Sequence, residues 1–257
     1  MATVGERPAP SGLQAPSGLQ APSGLQAMAD PGPLAFGLFA FTLVVFGVRF
    51  VAVTGTTISG PTSDALNFAI LVAGIGQTIG GVLSLLRGVA FTGWVASLFG
   101  VWLIGFYLIS VHTDSAAASD PGILSTGPGG APLPSAVRSA LQAANVSAWH
   151  AESLAWYVLV LLIPVAIFAI QPFRDRNIPF MIAFGAVIVV IVALGVGLHE
   201  VYAAVTDVTR GKATVPDLGG AVALLRVSAW AAFVGAVGVF LIFFKHVYPS
   251  KATAHTP

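Results

Sequence analysis

The sequence has very little charge and no cysteine. Its 257 residues include 11 Lys+Arg and 10 Asp+Glu, so only 8% of the chain is charged, against about 25% in an ordinary soluble domain. So few charges cannot cover the surface of a water-soluble protein of this length, which excludes a soluble enzyme. The formal net charge of +1 leaves no basic face, so no nucleic-acid partner is expected. Without cysteine there is no disulfide, thiol or thiolate metal chemistry, and we expect no cofactor and no metal.

The sequence contains long apolar runs. Hydrophobic residues make up 56% of the chain, and six stretches approach the roughly 20 residues that a helix needs to cross a bilayer core. These stretches are Leu34–Val53, Leu66–Leu86, Phe91–Val111, Leu154–Ile170, Phe180–Leu198 and Gly220–Phe244. They lack the alternation of barrel strands, and backbone groups in lipid must pair within a helix. The sequence therefore predicts an all-α integral membrane protein with six transmembrane helices in one bundle.

The remaining segments differ from the apolar runs in composition. Residues 1–29 contain a near-repeat of APSGLQ, which predicts a disordered low-complexity tail and is not typical of a signal peptide. Residues 30–247 are predicted to form the transmembrane domain, and 248–257 a C-terminal cytoplasmic tail. Connections are short except for a long polar outer loop at about 112–150. Its second half, 135–149, has apolar residues at helical spacing, which predicts a short interfacial helix leading into the fourth span.

Loop charges predict the orientation of the chain. Six basic residues lie on the side of the two termini: Arg7, Arg87, Arg174, Arg176, Lys245 and Lys251. Three lie on the other side: Arg138, Arg210 and Lys212. The positive-inside rule therefore predicts cytoplasmic N and C termini, and an even number of spans also places the termini together. Abundant Ala, Gly and Val favour a GC-rich genome and a bacterial inner (plasma) membrane.

Two arginines fall within the apolar stretches, and Gln77 is the main polar side chain in mid-span. Arg49 lies near the outer end of the first span and Arg226 about a turn and a half into the sixth. Each is either a snorkelling anchor or part of a positive outer vestibule that gathers anions. Gln77, in mid-span, either bonds a neighbouring helix or lines a polar pathway. No Asp or Glu lies in the middle of a span and no acid–base pair or metal set is evident, so an enzyme is not expected.

Three motifs are similar to those of a known family. The segment Asp30–Phe39 reads DPGPLAFGLF and resembles the N-P-A-P-L-G-L-x-G-F opening of the acetate/succinate permease family. The second-span segment Gly74–Gly81, with Gly76 and Gln77 inside it, resembles that family's second-span signature. Phe99–Leu103 resembles its third-span aromatic segment.

This resemblance implies a six-helix protomer in a homo-hexamer, each protomer with its own pore. It implies a narrow hydrophobic constriction in which Phe39 and Phe99 lie by motif position, with a third residue near Ala186 or Val187. Characterised members have a pore-lining Tyr where this chain has Phe99. The implied function is membrane transport of small carboxylates such as acetate or succinate, together with a proton.

The chemistry of a carboxylate is consistent with such a constriction. An ionised carboxylate loses its hydration in an apolar ring, which costs several kcal/mol. Protonating an acid whose pKa is about 4 costs roughly 4 kcal/mol at pH 7, so the neutral acid is expected to pass. Backbone N–H groups at the start of the first helix, from Leu34 onward, favour an anion there. The predicted substrate pathway is Pro33, Leu34, Phe39, Gln77, Phe99, Trp102, Arg49 and Arg226.

Two other functions fit the sequence. The first is a hexameric channel for a small neutral solute such as urea or a short amide, which the Phe at position 99 favours. The second is a non-transporting membrane subunit. The two outer-half arginines favour an anion over a neutral solute, and comparing acetate flux with urea flux at pH 6 and pH 8 would separate the first two functions.

Overall fold

The computed structural model describes residues 30–51, 63–112 and 115–247. The predicted tails, 1–29 and 248–257, lie outside these residues. The helices are α1 (Gly32–Val51), α2 (Ser63–Leu86), α3 (Ala90–Val111), α4 (Ser115–Ala118), α5 (Ser135–Val160), α6 (Leu162–Arg174), α7 (Ile178–Thr209) and α8 (Gly219–Val247), with a 3₁₀ turn at Pro128–Gly130.

Six helical units in the described ranges are long and apolar enough to cross a membrane. They are α1, α2, α3, the nearly continuous pair α5–α6, α7 and α8. This confirms the prediction of an all-α bundle of six membrane-length helices and indicates a multi-pass membrane protein. Such a fold is compatible with a transporter or a channel.

The helices pack in a closed ring. Helix α2 contacts α1 and α3, and α3 contacts α5. The α5–α6 pair contacts α7, and α8 packs against both α7 and α1. Helices α1 and α8 run antiparallel, since Gly37 lies beside Phe243 and Gly47 beside Phe233. The ring therefore has a terminal end, where α1 begins and α8 finishes, and a loop end, where α3 and α7 finish.

Glycine allows α2 and α3 to approach closely. A Cβ on Gly74 would lie 2.9 Å from the Gly100 carbonyl oxygen, and a Cβ on Gly100 would lie 2.5 Å from the Thr78 nitrogen. On the opposite face of α2, Gly76 and Gly80, which are spaced four residues apart, lie against α1. Small residues on both faces thus place α2 tightly between two neighbours.

Helices α5 and α7 project beyond the membrane at the loop end. The 32 residues of α7 correspond to about 48 Å, well over the roughly 30 Å of a hydrocarbon core. The predicted short interfacial helix at 135–149 is not separate, because these residues form the first part of the continuous helix α5. The outer loop is correspondingly shorter than the predicted 112–150.

A polar side chain holds these projecting parts together. Asn145 is buried, and its Nδ2 donates to the Ala117 carbonyl oxygen at 2.7 Å. The Thr209 hydroxyl lies 3.4 Å from Asn145 Oδ1 and 3.1 Å from the Thr206 carbonyl oxygen, between which its one proton is shared. The Leu124 N–H donates to the Thr209 carbonyl oxygen at 2.8 Å. We call this assembly of α4, the loop and the projecting helix ends the cap.

Proline breaks the fourth span at mid-membrane. Pro164 has no N–H to donate to the Val160 carbonyl oxygen, so the regular ladder is interrupted there. The chain tightens at Leu161, whose N–H donates to the Val158 carbonyl oxygen at 3.1 Å. Helix α6 then continues towards the terminal end.

Candidate functional site

A small cavity lies inside the ring, between α1, α3, α5–α6 and α7. Its volume is about 30 Å³, close to that of one water molecule. Its surface is wholly apolar, because the Thr42 hydroxyl and the Trp102 Nε1 are turned to hydrogen-bond partners in the surrounding helices. The lining side chains are Phe39, Thr42, Leu43, Phe46, Phe99, Trp102, Leu103, Val158, Leu161, Val187, Val190, Ile191 and Leu194. We call this space the central cavity.

One face of α1 supplies much of the wall. Phe39, Leu43 and Phe46 recur at helical spacing, so they point in the same direction. The structure brings Phe39 and Phe99 together, with ring centroids 4.5 Å apart and planes inclined at 34°. Of the two positions considered in the fifth span, Val187 lines the cavity, whereas Ala186 lies against Gly235 of α8.

Phenylalanine rings pack together on the terminal side of the central cavity. Phe180 lies 5.8 Å from both Phe36 and Phe91, and 6.5 Å from Phe184. Phe91 also meets Phe168 of α6, edge to face at 6.3 Å. These five rings, from four helices, form what we call the phenylalanine plug. An apolar seal of this kind excludes hydrated ions.

Trp102 joins α3 to α5 beside the cavity. Its indole stacks on the Tyr157 ring at 5.6 Å, with planes inclined at 9°. The Trp102 Nε1 donates to the Tyr157 carbonyl oxygen at 3.2 Å, and the Tyr157 hydroxyl donates to the Trp102 carbonyl oxygen at 3.0 Å. This reciprocal pair satisfies both polar groups in an apolar setting and fixes the distance between the helices.

Arg49 lies in the last turn of α1, at the loop end of the bundle. Its guanidinium donates a hydrogen bond to Asn67 Oδ1 and lies 5.4 Å from the Phe50 ring centroid and 5.7 Å from that of Phe106. These contacts hold a positive charge against the bundle, and that charge also acts on His150. We call these five residues the loop-end mouth.

Beside the mouth, a groove of about 320 Å³ separates α3 from α5. His112, Trp149, His150 and Ser153 are among its lining residues. The groove therefore lies beside the loop-end mouth, whose one formal positive charge is that of Arg49.

Gln77 lies behind the cavity wall and does not line the cavity. Its side chain is fully buried, and its Nε2 donates to the Thr42 hydroxyl oxygen at 3.2 Å. Thr42 in turn donates to the Leu38 carbonyl oxygen at 2.9 Å. Among the described residues no donor reaches Gln77 Oε1, and a buried unpaired polar atom costs about 1–3 kcal/mol.

The other predicted residues lie away from the cavity. Leu34 is 52% exposed, Pro33 is half-buried at the start of α1, and Arg226 lies on the exposed face of α8. Only Arg49 of the two arginines is directed into the bundle. The chain's own carboxylate occupies the start of α1, since Asp30 Oδ1 accepts from the Gly32 N–H at 3.0 Å and lies 3.5 Å from Arg87 Nη1.

Sequence reasoning missed three features of the site: Thr42, Phe46 and the break at Leu161. The first two could have been found from α1 alone, because they follow Phe39 by three and seven residues and so share its face. Pro164 was the signal for the break, since proline inside a transmembrane stretch interrupts the helix.

Within the described ranges no three His, Asp or Glu side chains are grouped as metal ligands. No protein-family model, curated protein or solved structure matches the chain. The resemblance to acetate/succinate permeases therefore stays a prediction, and the function has to be argued from the geometry.

Proposed function

We propose that the chain is a membrane transporter or channel for small carboxylates, and that it passes the acid together with its proton. The observation that carries the proposal is the central cavity, an apolar space inside a bundle of membrane-length helices in whose wall the Phe39 and Phe99 rings lie 4.5 Å apart. The remaining expectations belong to the same proposal: a homo-oligomer, hexameric by resemblance, in the bacterial inner membrane, with the terminal end in the cytoplasm.

The apolar lining favours the neutral acid over its anion. Moving an isolated charge into an apolar site costs far more than moving a neutral polar group. Protonating an acid of pKa about 4 costs roughly 4 kcal/mol at pH 7, and that cost falls as the solution becomes more acidic. The flux through the cavity should therefore track the concentration of the neutral acid.

The loop-end mouth supports a carboxylate as the substrate. The positive charge of Arg49, beside the neighbouring groove, would raise the local concentration of anions. A carboxylate gathered there and protonated before the cavity would move as acid plus proton, which amounts to symport. The phenylalanine plug and the small cavity volume fit a closed state, so passage requires Phe39 and its neighbours to move.

A proteoliposome flux assay tests the proposal. Purified protein and protein-free liposomes are compared for uptake of labelled acetate, succinate and urea at pH 6 and pH 8. The neutral fraction of acetic acid falls about tenfold per pH unit above its pKa, so protein-dependent acetate uptake should fall steeply between the two values.

Phe39→Ala identifies the constriction. Removing the ring widens the cavity and admits water, so the anion passes more readily and the pH 6 to pH 8 uptake ratio should drop at least fivefold. Phe41→Ala is the matched control, because Phe41 lies on the exposed face of α1. An unchanged ratio in Phe39→Ala would exclude this ring as the constriction.

The second candidate is a channel for a small neutral solute such as urea. It is favoured by the lining of the central cavity, where the described side chains include no charged group. Urea uptake that exceeds acetate uptake and does not change between pH 6 and pH 8 would establish this alternative. Purified protein that conducts neither solute would favour a non-transporting subunit.

A further inference from the structure

The groove of about 320 Å³ between α3 and α5 lies above a close contact of the two helices. At that contact there is no room for a Cβ on Gly105 beside the Tyr157 hydroxyl, and Trp102 and Tyr157 exchange their two hydrogen bonds. From there towards the loop end the helices separate and leave the groove between them. Its volume is within the range of ligand-binding pockets, so it can hold part of a molecule much larger than water.

The groove lies at the level where two apolar spans end. On α3 its lining changes from Leu108 and Ile109 to His112, which directly follows the last residue of the helix. On α5 it includes Trp149, shortly before the apolar run that begins at Leu154. Tryptophan is enriched at the boundary between hydrocarbon and lipid headgroups. The groove therefore joins an apolar part at the depth of acyl chains to a polar part at the depth of headgroups.

The groove is open to the lipid-facing surface of the bundle. Leu108 follows Trp94 and Val101 at seven-residue spacing, and the three side chains are 58%, 59% and 59% exposed. Residues spaced in this way share one face of a helix, and here that face is apolar and turned outwards. On α5, Ser153 shares a face with the exposed Trp156. Both walls of the groove thus continue into surfaces that face lipid.

The polar part of the groove offers hydrogen-bond donors. His112 and Trp149 each carry a ring N–H, and the positive charge of Arg49 acts on a further histidine of the groove wall. The described lining residues include no Asp or Glu. Glu152 is engaged towards α7, where its Oε2 lies 2.7 Å from His199 Nδ1. Donors beside a positive charge match an anionic group with several acceptor oxygens, such as a phosphodiester.

We propose that this groove binds one anionic glycerophospholipid of the surrounding bilayer. Its phosphate lies at the loop end of the groove, where it accepts hydrogen bonds from His112 and Trp149 and is attracted by Arg49. One acyl chain runs inwards between α3 and α5, along Leu108 and Ile109, and the other stays in the bilayer. The site shares no lining residue with the central cavity, and it does not depend on the proposed function.

Ser153→Trp tests the groove, because an indole on this wall occupies the space of the acyl chain. Purified protein in detergent is titrated with dioleoylphosphatidylglycerol, and the bound lipid is counted by native mass spectrometry. Each CH₂ that is kept out of the groove corresponds to about fourfold in affinity, so Ser153→Trp should weaken binding by about tenfold or more.

Ser147→Trp is the matched control. Ser147 and Ser153 both lie exposed on α5, and each donates to the carbonyl oxygen four residues earlier, at 3.1 Å and 2.9 Å. Only Ser153 lines the groove, so Ser147→Trp should bind the lipid as the wild type does. Equal melting temperatures of the two variants show that the loss in Ser153→Trp does not come from unfolding.

Two other residues test the headgroup. Wild-type protein should prefer phosphatidylglycerol to dioleoylphosphatidylcholine by about fivefold, the factor that ~1 kcal/mol for one basic residue near a membrane surface gives. Arg49→Gln should lose this preference and still bind both lipids. His112→Leu should weaken both lipids equally, because both carry the phosphodiester, and His112→Gln should restore binding because it keeps an N–H group.

Three results would overturn the proposal. The first is wild-type protein that binds no phosphatidylglycerol or binds both lipids equally. The second is equal binding of phosphatidylglycerol by Ser153→Trp and Ser147→Trp. The third is a rise in melting temperature with inorganic phosphate as large as the rise with the lipid, which would identify a site for free phosphate. Acetate uptake enters none of these measurements, so a failure of the proposed function leaves this site standing.

Discussion

Replacing Arg49 by Gln removes a positive charge at the loop-end mouth and keeps a hydrogen-bond donor for Asn67. The stability terms oppose one another. The variant loses a charge-assisted bond of about 1.5–3 kcal/mol and two cation–π contacts of about 0.5–1 kcal/mol each. It is relieved of a charge whose placement within a span costs about 2.5–3.5 kcal/mol at mid-helix. The net change in unfolding free energy should therefore stay within about 2 kcal/mol.

The effect on transport should be larger. A unit charge about 6 Å from an anion, at an effective dielectric constant of about 20, contributes about 3 kcal/mol. That energy corresponds to about a hundredfold in affinity, and salt reduces it. Arg49→Gln should therefore raise the KM for acetate uptake tenfold or more at low salt, while the maximal rate changes little. The assay is proteoliposome uptake over a range of acetate concentrations at two ionic strengths.

Arg226→Gln is the control for this prediction. Arg226 also lies towards the loop end, but on the exposed face of α8, so its loss should leave the KM unchanged. The reasoning is refuted if Arg49→Gln keeps the wild-type KM, because Arg49 would then be only a membrane anchor. It is also refuted if both variants raise the KM equally, since the bound anion would not distinguish the mouth from the lipid-facing surface.

Two further predictions concern the scaffold. Gly100→Val should lower the melting temperature in detergent, because even its Cβ would lie 2.5 Å from the Thr78 nitrogen and overpacking costs about 1–3 kcal/mol. The control Gly185→Ala should keep the wild-type melting temperature, because its Cβ would meet nothing nearer than 3.9 Å. Equal melting temperatures for the two variants would contradict the close packing of α2 on α3. Asn145→Ala should loosen the cap, because it removes the hydrogen bond to the Ala117 carbonyl. Limited proteolysis should then cut the 112–134 loop faster, while acetate uptake is retained. An unchanged cleavage rate would show that Asn145 does not hold the cap.

The sequence was sufficient to predict the spans, because the hydrophobicity of each span is summed over many residues. Each stretch has about 20 apolar residues in succession, so an error of a few residues at either end does not change the assignment. The ends were less predictable. Ser135–Val160 is one helix, although its first half is polar, because buried Asn145 anchors that half to the chain after α3. A contact between residues 28 positions apart leaves no periodic pattern in the sequence.

Site residues that lie in a sequence motif could be identified from the sequence. Contacts that depend on how a neighbouring helix packs could not. Phe39 and Phe99 could be placed by motif, and the structure brings their rings to 4.5 Å. Gln77 could be identified as a buried polar residue, but its partner could not, because the bond depends on the packing of α2 against α1. Arg49 and Arg226 look equivalent in sequence, and only the orientation of each helix separates the inward charge from the exposed one.

The break at Pro164 and the central cavity are linked. Leu161, where the fourth span tightens, and Val158, which accepts its hydrogen bond, both line the cavity. Interrupted membrane helices occur where a protein must bind or pass a solute at mid-membrane. The ring contacts across the path, between Phe39 and Phe99 and within the phenylalanine plug, are apolar, so they separate without leaving an unpaired polar group. The break at Leu161 thus lies between the cavity and the contact of Phe168 with Phe91, while the Trp102–Tyr157 pair keeps α3 and α5 together.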